Sequence, residues 1–326
     1  MGPCALVVWI VTGRCNLSCR HCYASRFSHL PELSTEEALR VVEGVAEIKA
    51  GHLSITGGEP TLREDLLKLI LEARGRGLRV SIVTNTLRLT DELMKLLAKE
   101  GVEVQVSIDG ASKETFAKMR GPYFDLALEK VKRLRDLGAE VRPIMAISAA
   151  NYSEAGRYVE LCADLNASGA ALIPLIPVGR ADKGFMPTPG MTKEAFSLAA
   201  QKAEELGLNI ELWCSPFARS FIRSRRVYVP KCVIDSCMDI APDGGVLLCD
   251  TIDVRITDVR KGVPEAWREY SSCELVKGLR RPENLKGPCR ACSYAEFCLG
   301  GCHARARAVH GDLMMPDPLC PLASNG

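Results

Sequence analysis

Near the start of the chain, GRCNLSCRHCY sets Cys15, Cys19 and Cys22 in a C-x3-C-x2-C spacing. A structural zinc site wants four ligands. Three thiolates leave one coordination position open. On a cubane 4Fe–4S cluster, that leaves one iron free to chelate the amino and carboxylate groups of a methionine-like cosubstrate. Taken alone, the spacing also fits a zinc knuckle with a distant fourth ligand, such as His21 or His29. A second group is SITGGEP, residues 54–60. Gly57 and Gly58 remove side chains where a ligand backbone must approach a strand end, and Glu59 offers a carboxylate to an ammonium. Read structurally, the same residues make a strand-to-helix turn with Pro60 at the helix start.

The other cysteines crowd the end of the chain. Cys232, Cys237, Cys249, Cys289, Cys292, Cys298, Cys302 and Cys320 make eight thiols, enough for two cubanes. The local C-x2-C-x5-C-x3-C block also suits zinc, and counting does not separate the two. Of the remaining four, Cys162 lies in an amphipathic helical pattern and reads as a small buried hydrophobe, and Cys4, Cys214 and Cys273 receive no role.

The elements that must position these groups alternate. Apolar, β-branched runs at residues 5–12, 52–56, 78–85, 102–110, 139–148, 170–177 and 208–214 predict strands, with amphipathic helices between them. Ser34 and Glu37 form an S-x-x-E capping signal for the first helix. Strand alternating with helix implies right-handed βαβ units and a parallel sheet, whose ligands gather at the carboxyl ends of the strands. The cysteine loop, Gly57 to Glu59, Asn85, Ser107 to Gly110 and Pro177 to Arg180 all fall at that end. After Cys214 the rhythm stops. The tail is cysteine-rich and proline-punctuated, is expected to build little apolar core, and needs an inorganic tie. The expected division is a core over 5–214, a linker at 215–226 and a tail domain over 227–322.

Composition sets the outer bounds. The chain has 326 residues, 47% hydrophobic and 25% charged, ordinary values for a globular protein. A net charge of +2 gives no case for nucleic acid, and no apolar run reaches the roughly 18–20 residues that span a bilayer. The apolar start lacks a basic n-region and reads as a strand rather than a signal peptide. The expectation is a cytoplasmic protein with no membrane or nucleic-acid partner.

The combination of C-x3-C-x2-C and G-G-E-P one βα unit later resembles the radical S-adenosylmethionine (SAM) superfamily, over roughly residues 5–214. The resemblance implies an α/β fold, a partial (β/α)6 TIM-like barrel. It also implies that Cys15, Cys19 and Cys22 hold the cluster that reduces SAM. Gly57, Gly58 and Glu59 would hold the SAM amino group. His21 stands where the family usually carries an aromatic residue beside the adenine, with Tyr23 next to it. Asn85 and Ser107 occupy positions that contact the ribose or carboxylate, and Arg120 is a further candidate for the carboxylate. As plain structure, Asn85 and Ser107 read equally well as turn or cap residues.

The tail, roughly residues 227–322, resembles the SPASM extension of such enzymes, with Gly244 as the glycine before Cys249. That implies a small cysteine-rich C-terminal iron–sulfur domain with interleaved ligation. Auxiliary cluster I would take Cys232, Cys237, Cys249 and Cys302, and auxiliary cluster II Cys289, Cys292, Cys298 and Cys320. The implied cofactors are three 4Fe–4S clusters and SAM. The implied activity is reductive cleavage of SAM to methionine and a 5′-deoxyadenosyl radical, which removes hydrogen from a ribosomal peptide, a protein or a cofactor precursor. A ferredoxin- or flavodoxin-like protein would donate electrons. The C-terminal stretch CLGGCHARARAVHGDLMMPDPLC resembles enzymes of the alternative haem and haem d1 pathways, and also the crosslinker of the pyrroloquinoline quinone precursor peptide. Tetrapyrrole side-chain modification is therefore an alternative. A non-catalytic electron-transfer or metal-binding protein is another, opposed by the intact Gly57-Gly58-Glu59.

Overall fold

The computed structural model describes residues 2–323. Eight strands run in parallel: β1 (Leu6–Ile10), β2 (Leu53–Thr56), β3 (Val80–Thr84), β4 (Glu103–Ser107), β5 (Val141–Ile147), β6 (Ala170–Pro174), β7 (Ile210–Leu212) and β8 (Val227–Tyr228). They pair in sequence order, each with the next, as βαβ units require. The sheet does not close on itself, so the expected partial barrel is the observed one. β2 and β3 are buried at nearly every position, which explains their nearly continuous apolar runs, whereas β5 alternates buried and half-buried residues and β8 is exposed at Tyr228.

Helices cover the outside: α1 (Thr35–Glu47), α2 (Leu66–Gly75), α3 (Asp91–Lys99), α4 (Lys113–Arg120), α5 (Phe124–Asp136), α6 (Ala155–Asp164) and α7 (Pro189–Leu206). The expected capping box is present at α1. Glu37 N–H donates to Ser34 Oγ at 3.2 Å, and Ser34 N–H donates to Glu37 Oε2 at 2.8 Å. Residues 215–226 carry a 3-10 turn, Pro216–Ser220, whose Phe217 and Ala218 are buried.

The tail departs from expectation in two ways. Its first strand, β9 (Cys237–Ile240), pairs in parallel with β1, and β10 (Gly245–Cys249) and β11 (Ile252–Asp258) continue the same sheet antiparallel. The tail also builds an apolar core. Val263, Ala266, Trp267 and Tyr270 of α8 (Val263–Ser272) and Val276 of α9 (Glu274–Gly278) are buried, and Val263 meets Gly44 of α1. A helix of this length spaces its apolar residues at three and four, a signal easily hidden between prolines and cysteines. The chain ends with the short α10 (Ala295–Cys298) and with α11 (His303–His310).

Candidate functional site

Cys15, Cys19 and Cys22 lie in the loop that follows β1, at the carboxyl end of the sheet. Cys15 is exposed, Cys22 half-buried and Cys19 buried. No cysteine among the described residues is in a disulfide. Ile10, Ala24 and Phe27 form a small apolar cluster with Ala241 and Leu247 of the tail, and Cys22 and Tyr23 pack on it. The tail hairpin therefore braces the loop. Arg120, the last residue of α4, donates to Cys19 Sγ from Nη1 at 3.8 Å. Burial pushes the Cys15 and Cys19 thiols up, and the Arg120 guanidinium opposes that for both. Three unpaired thiols beside a cation suit thiolate ligation.

Gly57 and Gly58 give up their side chains to a close approach within the chain. A Cβ on Gly58 would lie 2.2 Å from Arg14 O, and one on Gly57 would lie 2.6 Å from Thr12 O. Their bare backbone admits the cysteine loop itself. Gly58 N–H donates to Thr12 O and Glu59 N–H to Arg14 O, both at 2.8 Å. The Glu59 carboxylate, only 1% exposed, faces protein donors. Its Oε1 accepts from Thr61 Oγ1 at 2.7 Å, Thr84 Oγ1 at 2.7 Å and Thr61 N at 3.2 Å, and its Oε2 accepts from Asn85 N at 2.8 Å. Burial still holds its carboxyl above the usual range. Glu59 thus pins the end of β3 to the loop after β2. Asn85, fixed in this way, donates from Nδ2 to Asn16 Oδ1 at 2.9 Å, and Nδ2 lies 4.0 Å from Cys15 Sγ.

His21 does not face outward. Its Nε2 lies 2.9 Å from Asp109 Oδ2, and its side chain is 7% exposed. Asp109 comes from the turn after β4, pairs with Arg120 as well, and accepts from Ala146 N at 2.6 Å. Burial pushes the Asp109 carboxyl up, but Arg120 and then His21 more than offset it, so the group sits well below the carboxylate range. Ser107 ends β4, half-buried, outside this network. Arg180 donates from Nε to Cys19 O and from its backbone N–H to Cys22 O, both at 3.1 Å. At Gly179 (φ +65°) a Cβ would meet Cys22 O at 2.6 Å, so only glycine lets that loop close on the cysteines.

Tyr23 points to the tail. Its hydroxyl donates to Asp250 Oδ2 at 2.6 Å. Asp250 N–H donates to Asp239 Oδ2 at 2.6 Å, and the Cys237 thiol donates to Asp239 Oδ1 at 3.1 Å. Ligand atoms of Asp239, Cys249 and Asp250 lie within 4.8 Å of one another. Burial, then the Asp250 charge, pushes Asp239 up. Sequence reasoning missed both aspartates. The signal was there, one residue after Cys249 and two after Cys237.

The eight tail cysteines fall into two groups. Cys289, Cys292, Cys298 and Cys320 line one cavity with Phe217 and Tyr294. Burial, with Cys320 and Cys292 adding, pushes Cys289 up to about 11. Cys302 does not line that cavity, although it follows Cys298 by four residues. It neighbours Cys232, which burial and then Cys302 push up to about 11, while Cys249 neighbours Cys237. A buried ion pair adjoins both groups. Arg305 and Asp317 are both fully buried, and Asp317 accepts from Cys302 N at 2.9 Å and from Leu319 N at 3.0 Å. Arg305 also donates to Pro174 O at the end of β6, at 3.1 Å.

Residues 9–162 match the radical SAM superfamily. The chain is a radical SAM enzyme. It is 29% identical to the AdoMet-dependent heme synthase of Methanosarcina barkeri over 97% of this chain and 95% of that one. It is 28% identical to mycofactocin maturase MftC of Mycolicibacterium smegmatis, over 96% and 82%. Among solved structures, anSMEcpe with bound AdoMet superposes with a TM-score of 0.76 at 17% identity, over 98% of this chain and 95% of that one. That likeness covers the tail as well as the barrel. The family implies a 4Fe–4S cluster and SAM. No helix among the described residues is long and apolar enough to cross a membrane.

Proposed function

We propose that this radical SAM enzyme uses three 4Fe–4S clusters to modify a carboxylate-bearing tetrapyrrole precursor. The observation that carries the cluster assignment is the sorting of the tail thiols, with Cys289, Cys292, Cys298 and Cys320 around one cavity and Cys302 outside it. In this reading Cys15, Cys19 and Cys22 hold the SAM cluster. Auxiliary cluster I takes Cys232, Cys237, Cys249 and Cys302, and auxiliary cluster II takes the cavity set. Bound in the loop, the first cluster supplies the electron that splits SAM into methionine and a 5′-deoxyadenosyl radical, the species that removes hydrogen from the substrate. The chain's own residues do the rest. Glu59 fixes the backbone of Asn85, and Gly57 and Gly58 let the two loops touch. Asn85, Ser107 and Arg120 serve the SAM ribose and carboxylate, and the backbone flanking His21 and Tyr23 serves the adenine. Arg120 and Arg180 brace the cysteine loop and screen its charge. A ferredoxin- or flavodoxin-like donor supplies electrons.

Support for a tetrapyrrole substrate comes from the near end-to-end match to the AdoMet-dependent heme synthase. The side chain of Arg20, beside Cys19, is 62% exposed and rests on the buried Phe185 ring, which leaves its guanidinium open to a carboxylate of the substrate. The test is to incubate the reconstituted, reduced enzyme with SAM and an iron tetrapyrrole bearing propionates. Formation of 5′-deoxyadenosine together with a changed tetrapyrrole mass is expected. An unchanged tetrapyrrole, with turnover only on added precursor peptides, would shift the reading to a peptide maturase. That second reading draws on MftC and on the fold shared with SuiB of Streptococcus suis bound to its precursor peptide SuiA.

A further inference from the structure

Cys214 belongs to no motif in the sequence, yet the fold delivers it to the auxiliary thiols. It follows β7 and sits at the carboxyl end of the barrel sheet, the end that faces the tail cysteines. Its thiol neighbours Cys302, with Cys249 also near. Its backbone is held in the left-handed region at φ 52°, which a β-carbon disfavours. Arg305 fixes it there by donating from Nη2 to Cys214 O, while the same guanidinium pairs with Asp317, whose carboxylate accepts from Cys302 N. One buried ion pair therefore sets the positions of both Cys214 and Cys302. Strain of this kind persists where the surroundings hold a side chain in a required place. Cys214 is exposed whereas Cys302 is buried, so the thiol is not simply filling the core.

We propose that Cys214 is an iron ligand of auxiliary cluster I, sharing the fourth iron with Cys232 while Cys237, Cys249 and Cys302 hold the other three. This rests on the auxiliary-cluster reading above. Cys214 and Cys232 both neighbour Cys302, one arriving from the barrel and the other from the tail. Binding iron replaces the S–H bond with an S–Fe bond and releases the proton to solvent. The site is then a five-thiol centre that ties barrel to tail through either of two ligands. An iron with two alternative thiolates can keep its coordination while one of them is displaced.

The test compares wild type, Cys214→Ser, Cys232→Ser and the double variant after anaerobic reconstitution, reading iron per chain and the electron paramagnetic resonance spectrum. Wild type and both single variants are expected to carry about twelve irons, four per cubane, with an altered auxiliary signal in at least one single variant. The double variant, left with three thiolates as the loop has, is expected to hold its auxiliary iron less tightly than either single variant and to show an auxiliary signal changed from both. A double variant with the same iron and spectrum as Cys232→Ser would overturn the Cys214 assignment alone. Wild type with only about four irons would overturn the auxiliary reading and this proposal with it. If the double variant does not fold, alkylation of the wild-type chain decides. Cys214 should label at least tenfold more slowly in the loaded protein than in the metal-free protein, with Cys273 unchanged between the two. Equal labelling of Cys214 in both states would overturn the assignment.

Discussion

The cysteine loop of the barrel and the cysteines of the tail solve the same ligand problem in opposite ways. In the loop, three thiols run from exposed Cys15 to buried Cys19 over eight residues, with Arg120 and Arg180 on the loop and Asp109 and Glu59 nearby. In the tail, eight thiols come from across 89 positions of sequence. Five of them, Cys237, Cys289, Cys298, Cys302 and Cys320, are buried, with acids close by at Asp239, Asp250 and Asp317. A short, partly exposed loop with a missing fourth ligand leaves room for a cosubstrate to come and go. A closed set of buried thiols drawn from distant segments acts as a crosslink, and ligation there becomes part of folding.

The largest effect should come from the tail's internal anchor. Asp317→Asn leaves Arg305 buried with its charge unpaired, a loss of about 3–5 kcal/mol by the usual cost of breaking such a pair. Urea unfolding of the metal-loaded chain should show a lowered midpoint, and both auxiliary groups should lose iron while the loop retains it. Retention of all tail iron would mean the pair does not organise the two groups.

Next is Glu59→Ala. It strips the acceptor from four donors, and an unsatisfied buried donor costs roughly 1–3 kcal/mol. Stability and SAM affinity should fall together, because the residue acts by fixing Asn85 and the loop. Weakened SAM binding with unchanged stability would favour direct contact with the cosubstrate instead. A smaller change is expected from His21→Phe. It removes one partner of Asp109 but leaves Arg120 and the Ala146 N–H, so SAM affinity should drop only a few-fold and iron content should hold. Loss of the loop's iron in that variant would make His21 a ligand, as the zinc-knuckle reading of the spacing allows.

Acidification should separate the two regions as well. The Asp109 pKa is depressed in the fold, so its contribution to stability is present above the ordinary carboxylate pKa of about 3.9 and is lost as pH falls through the lower folded value. Asp239 is shifted the other way, so it takes up a proton at higher pH than an ordinary aspartate. Metal-free protein monitored by NMR or by titration should therefore protonate the Asp239 region first. The reverse order would contradict the proposed contrast.

Much of this was legible in the sequence because it is local. The C-x3-C-x2-C spacing, the Ser34–Glu37 cap and the strand rhythm each span a few residues and appear where expected. What stayed hidden is non-local. Nothing in the run Cys237–Ile240 indicates that it will lie beside β1, because strand pairing is decided by the edge that is left open. Glycines 57 and 58 signalled a close approach, but not that the approaching backbone would be the chain's own. The His21–Asp109 contact joins residues 88 apart, and Arg305 reads as one more basic residue in a helix until its partner Asp317 and the barrel carbonyl at Pro174 surround it.

The central claim is that the tail thiols form two interleaved groups. Hydrogen exchange with iron analysis on Cys302→Ala tests it most directly. The variant should lose protection around β9 and β10 as well as near its own position, and the cavity set Cys289, Cys292, Cys298 and Cys320 should keep its iron. Protection lost only over residues 289–302, with β9 and β10 exchanging as in wild type and the cavity set emptied, would contradict it.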